Sequence, residues 1–195
     1  LCSPALAIDT CDSWYNDCDT EIDEDPDIVW YDDAGTDRYF VTSDDRQAIV
    51  RVEADGSQTL WADNGFGRPR GIESFTDDGG TDWLLLSDWS NDSVRAFDPT
   101  DSPNAAVQWS ESFNWQLDMP WGVTAAVVGG TEYYWTTNSG SDELWRTDTG
   151  NDDMQADYLD NPRDVLYTTS GEIVVADSGS GAVYFIEACG TNNCP

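Results

Sequence analysis

RPRGIE (68–73) followed by WLLLSDWSNDSVRAFD (83–98), and NPRDVL (161–166) followed by EIVVADSGSGAVYFIE (172–187), are two copies of one layout in a chain of 195 residues. Each copy runs from a proline through an apolar stretch to a hydrophobic run ending in Asp, then a polar turn and an alternating strand. Alternation bounded by Gly, Asn, Asp and Ser reads as short β-strands joined by tight turns. MPWGVT (119–124) with YYWTTNSGSDELWRTD (133–148) keeps the layout more loosely, and DPDIVW (25–30) with YFVTSDDRQAIVRVE (39–53) more loosely still. The opening prolines, Pro26, Pro69, Pro120 and Pro162, lie 43, 51 and 42 residues apart. That period is the one expected of propeller blades, so the expected fold is all-β, a small four-bladed β-propeller over residues 26–187.

Within the units, Asp88, Asn138 and Asp177 occupy one place, each six residues before an apolar residue (Val94, Leu144, Val183). They read as turn residues whose side chains accept backbone N–H bonds, rather than as a ring of ligands. A fourth, outer strand is expected in the first three units, as TLWAD (59–63), VQWSE (107–111) and ADYLD (156–160). Trp61, Trp109 and Tyr158 would then be equivalent, and aromatic rings at a repeated strand position are expected to be inter-blade core. The last unit lacks such a strand. PALAID (4–9) alternates and has no blade of its own, so it could supply one and close the ring; the same edge could instead accept a strand from a neighbouring subunit.

The repeats resemble those of NHL-type propellers, which run Pro-x-Gly-Ile, then a hydrophobic strand ending Ala-Asp-Ser/Thr, then Val-x-x-Phe. PRGI…LLLSDWSNDSVRAFD and PRDV…IVVADSGSGAVYFIE carry the resemblance, which extends over about residues 26–187 with the weaker repeats. It implies a fold and leaves activity open, because propellers host lyases, lactonases, binding modules and structural proteins alike.

Upstream, CDSWYNDCDTEIDED (11–25) is similar to a Cys/Asp-rich metal-binding motif of bacterial surface proteins, written CDGxDNDCDGxxDE. Cys11, Asp12, Asn16, Asp17, Cys18, Asp19, Asp23 and Glu24 stand at matching positions, while Tyr15 replaces an Asp and Thr20 the turn Gly. The resemblance implies calcium, with Asp12, Asp17, Asp19, Asp23 and Glu24 as candidate ligands. The residues agree independently: closely spaced carboxylates offer hard oxygen ligands on one loop, and a bridge between Cys11 and Cys18 would pre-organise it. A disulfide-closed acidic loop without metal, or with another cation, is also compatible with them.

Net charge is −31, from 39 acidic residues, 30 of them Asp, against 8 basic residues, all Arg. Phosphate binding needs clustered cations, so nucleic acid is excluded as a partner. No run of about 20 apolar residues is present, so no membrane span is expected. The five cysteines, Cys2, Cys11, Cys18, Cys189 and Cys194, sit only at the two ends and imply an oxidising compartment. Pairs Cys11 with Cys18 and Cys189 with Cys194 would leave Cys2 for a neighbouring chain, a lipid or a cap; connectivity stays open. The start LCSPALA, without Met, is what export and cleavage would leave. The expected organisation is an N-terminal strand and disulfide-stapled acidic loop (1–25), the propeller (26–187) and a Cys-containing tail (188–195).

His is absent, which removes Ser-His-Asp and Cys-His triads and His-dependent propeller lyases. No nucleophile elbow, P-loop or dinucleotide motif is present either. The leading expectation is therefore a non-catalytic secreted or cell-surface module for structure or adhesion, supported by calcium. Its partners would be further copies of itself or other extracellular proteins and glycans, and the chain could be the subunit of a surface filament. One alternative is a metal-dependent lactonase-like hydrolase using Glu73, Asp164 or Asp27 near the inner strands. Another is a ligand-binding propeller with an aromatic pocket around Trp89 or Trp121. The sequon at Asn91 falls in a turn and is a glycosylation candidate.

Overall fold

A computed structural model describes residues 28–33, 36–44, 46–63, 65–100, 117–148 and 151–187. Among these residues there are fourteen strands and no helix, arranged as four antiparallel sheets. The first holds β1 (Ile28–Asp33), β2 (Thr36–Ser43), β3 (Ala48–Glu53) and β4 (Gln58–Ala62). The second holds β5 (Pro69–Thr76), β6 (Asp82–Asp88) and β7 (Ser93–Phe97). In the third are β8 (Pro120–Val128), β9 (Thr131–Asn138), β10 (Glu143–Asp148) and β11 (Asn151–Ala156), and in the fourth β12 (Pro162–Tyr167), β13 (Glu172–Asp177) and β14 (Ala182–Glu187). Each sheet is a meander whose strands are paired in chain order.

The run Leu84-Leu85-Leu86 departs from alternation because both faces of β6 are covered. Leu84 and Leu86 meet Phe40, Ile49 and Trp61 of the first sheet. Leu85, with Val94 and Ala96, meets Val123 and Tyr134 of the third. A third layer joins Trp135 and Leu144 to Val165, Ile173 and Val175 of the fourth sheet. The core is thus three apolar layers between successive sheets. Strand β5 lies against β1 and β2, β8 against β5 and β6, and β12 against β8 and β9. Among the described residues no packing of that extent joins the fourth sheet to the first.

Turn chemistry repeats as well. Gln47 (φ 54°), Asp92 (φ 46°), Asp142 (φ 61°) and Gly181 (φ 67°) stand at one place, just before the third strand of each unit. Glycine takes this left-handed conformation freely and Asp tolerates it.

Two expectations about outer strands divide. TLWAD is β4, and Trp61 is 2% exposed, edge-on to Phe40 at 4.9 Å and to Phe97 at 5.9 Å. In the third unit, however, the outer strand is NDDMQA (Asn151–Ala156), not ADYLD. Asp148 pairs with Asn151, so the chain reverses immediately and the strand is complete at Ala156. Tyr158 is consequently 58% exposed, and Leu159 enters the core in its place. VQWSE with Trp109, and PALAID, lie outside the described residues.

Candidate functional site

The inner strands β5, β8 and β12 begin at Pro69, Pro120 and Pro162, which fits proline's place at a strand start where no ladder N–H is needed. Their starts converge. A β-carbon on Gly71 would overlap the Trp121 carbonyl, and one on Gly122 would stand 2.7 Å from the Asp164 Cα and 2.8 Å from the Val165 nitrogen. Backbone therefore touches backbone at both junctions, an approach that only glycine permits.

This convergence brings together the residues that follow the three prolines, Arg70, Trp121 and Arg163. The Arg70 guanidinium lies 4.3 Å and that of Arg163 3.6 Å from the Trp121 ring centre, both within cation–π range. Asp44 binds the first of these arginines at 2.6 Å and also takes Arg68 through Nε (2.7 Å) and Nη2 (2.8 Å). Arg68 in turn covers the Trp89 ring at 4.9 Å, and Arg163 Nε donates to Ser178 Oγ at 3.3 Å. Three of the chain's eight cations thus stand at one end of the inner strands, around two tryptophans and one carboxylate. This site was not legible in sequence, although the residue after each repeat proline is the position that marks it.

The repeated acids and hydroxyls around it hold backbone. Asp88, fully buried, accepts from the Gly67 nitrogen (2.9 Å), the Arg68 nitrogen (2.9 Å) and Asn91 Nδ2 (2.8 Å). Asp177 accepts from the Asp160 nitrogen (3.0 Å) and Ser180 Oγ (2.8 Å). At the third site the expected acceptor role is not taken by the buried Asn138 Oδ1, and the latch there is the Ser139 N–H on the Met119 carbonyl (3.2 Å), which recurs as Trp89 on Arg68 (2.9 Å) and Ser178 on Asn161 (3.2 Å). Thr42 Oγ1 donates to the Arg70 carbonyl of the next sheet (2.8 Å), and Ser87 Oγ donates likewise to that of Trp121. Asp92 and Asp142 also cross to the next sheet, accepting from the Met119 (2.9 Å) and Asn161 (2.7 Å) nitrogens.

The outer turns spend acids in the same way. The Trp83 indole and the Thr81 N–H hold the Asp77 carboxyl below the usual carboxylate range, and Ser57 does so for Asp55. Burial and the hydrogen bond to Glu132 push the Tyr134 phenol far upward.

Of the residues singled out from sequence, Asp12, Asp17, Asp19, Asp23, Glu24, Asp27, Cys2, Cys11, Cys18, Cys189 and Cys194 lie outside the described residues. Asn91 is exposed in its turn, and its Nδ2, the atom a glycan would occupy, also donates to the Gly65 carbonyl at 3.0 Å. Glu73 is half-buried on β5. Asp164 reaches solvent, but crowding by protein pushes its carboxyl up, partly offset by the Val165 N–H at 2.8 Å. Among the described residues no group of three or more acids or cysteines is placed to hold a metal ion. Trp89 and Trp121 are half-buried, each with a guanidinium over its ring.

No protein-family model matches the chain, and no curated protein does. Solved structures do. A chain of a nidogen/laminin complex matches with TM-score 0.62 at 20% identity, over 77% of this chain and 56% of that one. A streptogramin B lyase matches with TM-score 0.51 at 15% identity, over 72% and 44%. A catalytically inactive virginiamycin B lyase from Staphylococcus aureus, with quinupristin, matches with TM-score 0.51 at 14% identity, over 84% and 55%. These likenesses show a β-propeller fold. The chain spans about half the length of the structures it matches.

Proposed function

We propose that this protein is a non-catalytic extracellular module for structure or adhesion, a four-bladed NHL-like propeller supported by calcium at its N-terminal loop. It would serve as the self-associating subunit of a surface filament. The observation that carries this reading is the Arg70–Trp121–Arg163 stack. It fills the place where the inner strands converge, while the repeated Asp, Ser and Thr side chains around it are engaged by backbone. A site for chemistry needs side chains poised toward a substrate, and these are poised toward the chain itself. The acidic surface, at −31 net charge, suits divalent cations. The nidogen in the matched complex engages another protein, laminin, and the same mode of use is proposed here.

Electron microscopy of native, non-reduced protein with and without a calcium chelator tests the reading. Ordered assemblies that loosen on chelation or reduction are expected. Dispersed particles indifferent to both treatments would overturn it.

A second reading has one observation in its favour. Arg68, paired with Asp44, keeps 43% of its side chain exposed beside the half-buried Trp89, so a polar edge and a ring stand together at the rim for a glycan ligand. Loss of glycan-array binding in Arg68→Gln and Trp89→Ala would support that reading; no binding by the native protein would remove it.

A further inference from the structure

In each of the first three sheets one face is buried under the sheet that follows. Phe40 and Ile49 in the first, Leu85 and Val94 in the second, and Trp135 and Leu144 in the third are fully buried there. The same face of the fourth sheet has no such cover among the described residues. Its rows are set by the pairings Leu166–Val174–Phe185 and Asp164–Ala176–Val183, and Leu166, Val183 and Phe185 are 53%, 60% and 70% exposed. The intervening Ile173 and Val175 are buried against the third sheet, so the exposure belongs to one face of a well-packed sheet.

Large apolar side chains gathered on one exposed face mark a surface for a partner. The charges beside them say which partner. The charged positions of this face are Asp164 at one end and Glu172 and Glu187 at the other, all exposed and all acidic. Glu172 and Glu187 stand directly opposite each other on β13 and β14. Like charges so placed are unfavourable in a sheet, and a cation set between them relieves the cost. Phe185 lies two residues before Glu187 on the same face, so such a cation would rest beside an exposed ring. The chain uses this combination itself, since at least five of its eight arginines lie over aromatic rings. A second copy, at −31 net charge, would bring like charge to these carboxylates.

We infer that this face of the fourth sheet is a docking surface for a different protein, which presents an apolar segment with arginines at its ends. The apolar side chains of that segment cover Leu166, Val183 and Phe185, and its arginines meet Asp164 and the Glu172–Glu187 pair. This goes beyond the self-association proposed above, which the surface neither requires nor supplies.

The probes are three short synthetic peptides: one with a Leu/Phe centre and Arg at both ends, one with the same centre and Glu at both ends, and one with Arg ends and a Ser/Gly centre. Binding to the full, non-reduced chain is read by titration calorimetry in about 150 mM salt, which screens loose attraction to the acidic surface. The first peptide should bind at least about tenfold more tightly than either of the others. Val183→Ser/Phe185→Ser should weaken it by about a hundredfold and Glu172→Gln/Glu187→Gln by about tenfold. All four side chains are exposed, so near-ultraviolet circular dichroism of both variants should match that of the native protein. Binding by none of the three peptides, equal binding of the Arg-ended and Glu-ended peptides, or binding indifferent to Val183→Ser/Phe185→Ser would overturn the inference.

Hydroxyl-radical footprinting of Phe185 without peptide separates the other occupants. Ready oxidation at every protein concentration is expected. Protection at every concentration would place the chain's own terminal residues on the face, and protection that grows with concentration a second copy; either result would overturn the inference.

Discussion

Removing the Asp88 carboxylate should cost more stability than removing any other single acid of the repeat. The side chain is fully buried and accepts from three donors: the Gly67 and Arg68 nitrogens and Asn91 Nδ2. Arg95 Nη2 lies 3.6 Å away. A hydrogen bond to a charged group contributes about 1.5–3 kcal/mol, and donors left without acceptors forfeit much of it. Three such bonds would sum to more than about 5 kcal/mol, but Gly67 and Arg68 are half-buried and can recover part of the loss from water, so Asp88→Ala should cost about 4 kcal/mol. Asp177→Ala loses only the Asp160 nitrogen and Ser180 Oγ and should cost about 2 kcal/mol. For a chain of this size each kcal/mol lowers the melting temperature by about 2–4 °C, so about 8–16 °C separates native protein from Asp88→Ala. Calorimetry at fixed calcium concentration measures this, and Asp88→Asn should fall between the two. A loss below about 1 kcal/mol for Asp88→Ala, or a larger loss for Asp177→Ala, would refute the claim that this carboxylate organises the turn and the approach to Pro69.

Gly122→Ala should destabilise by at least about 2 kcal/mol, since the new methyl would meet Asp164 and Val165 backbone that cannot swing aside; Gly130→Ala, with no atom near its β-carbon, bears only the strain of φ 81° and serves as comparison in the same melts. Trp121→Leu combined with Arg163→Gln should show a coupling of about 0.5–2 kcal/mol in a denaturant double-mutant cycle, and additivity would deny the stack any energetic role. Asp164→Asn should stabilise at pH 7. The raised folded pKa means the ionised carboxyl carries a penalty that is full above that pKa and gone below the unfolded value, so the gain should shrink as pH falls and vanish by about pH 3 in pH-dependent melts.

Where the sequence resolves into repeats, it was readable because one physical requirement recurs in each. Leu84-Leu85-Leu86 announces a strand covered on both sides, and the Asp ending that run stands where a turn needs an acceptor, so β6 and Asp88 were both legible. The outer strand of the third unit was not. Asn151, Asp152, Asp153 and Gln155 have low strand propensity, and the strand forms because a tight reversal after Asp148 lays it on the edge of β10. The aromatic marker Tyr158 therefore pointed one segment too far. The Arg70–Trp121–Arg163 stack was hidden for a different reason: its members are 51 and 42 residues apart, and only the close approach at Gly71 and Gly122 makes them neighbours.

Those two glycines also bear on a quantity that no single sheet determines. The spacing between neighbouring inner strands sets how sharply the row of sheets bends, and so how many sheets one full turn requires. Two absent β-carbons allow backbone to approach backbone across two of the junctions, so positions 71 and 122 limit how closely neighbouring inner strands can come together there. A side chain at either place would have to push the neighbouring inner strand away, so a substitution there acts on the junction between sheets and leaves the pairing inside each sheet intact.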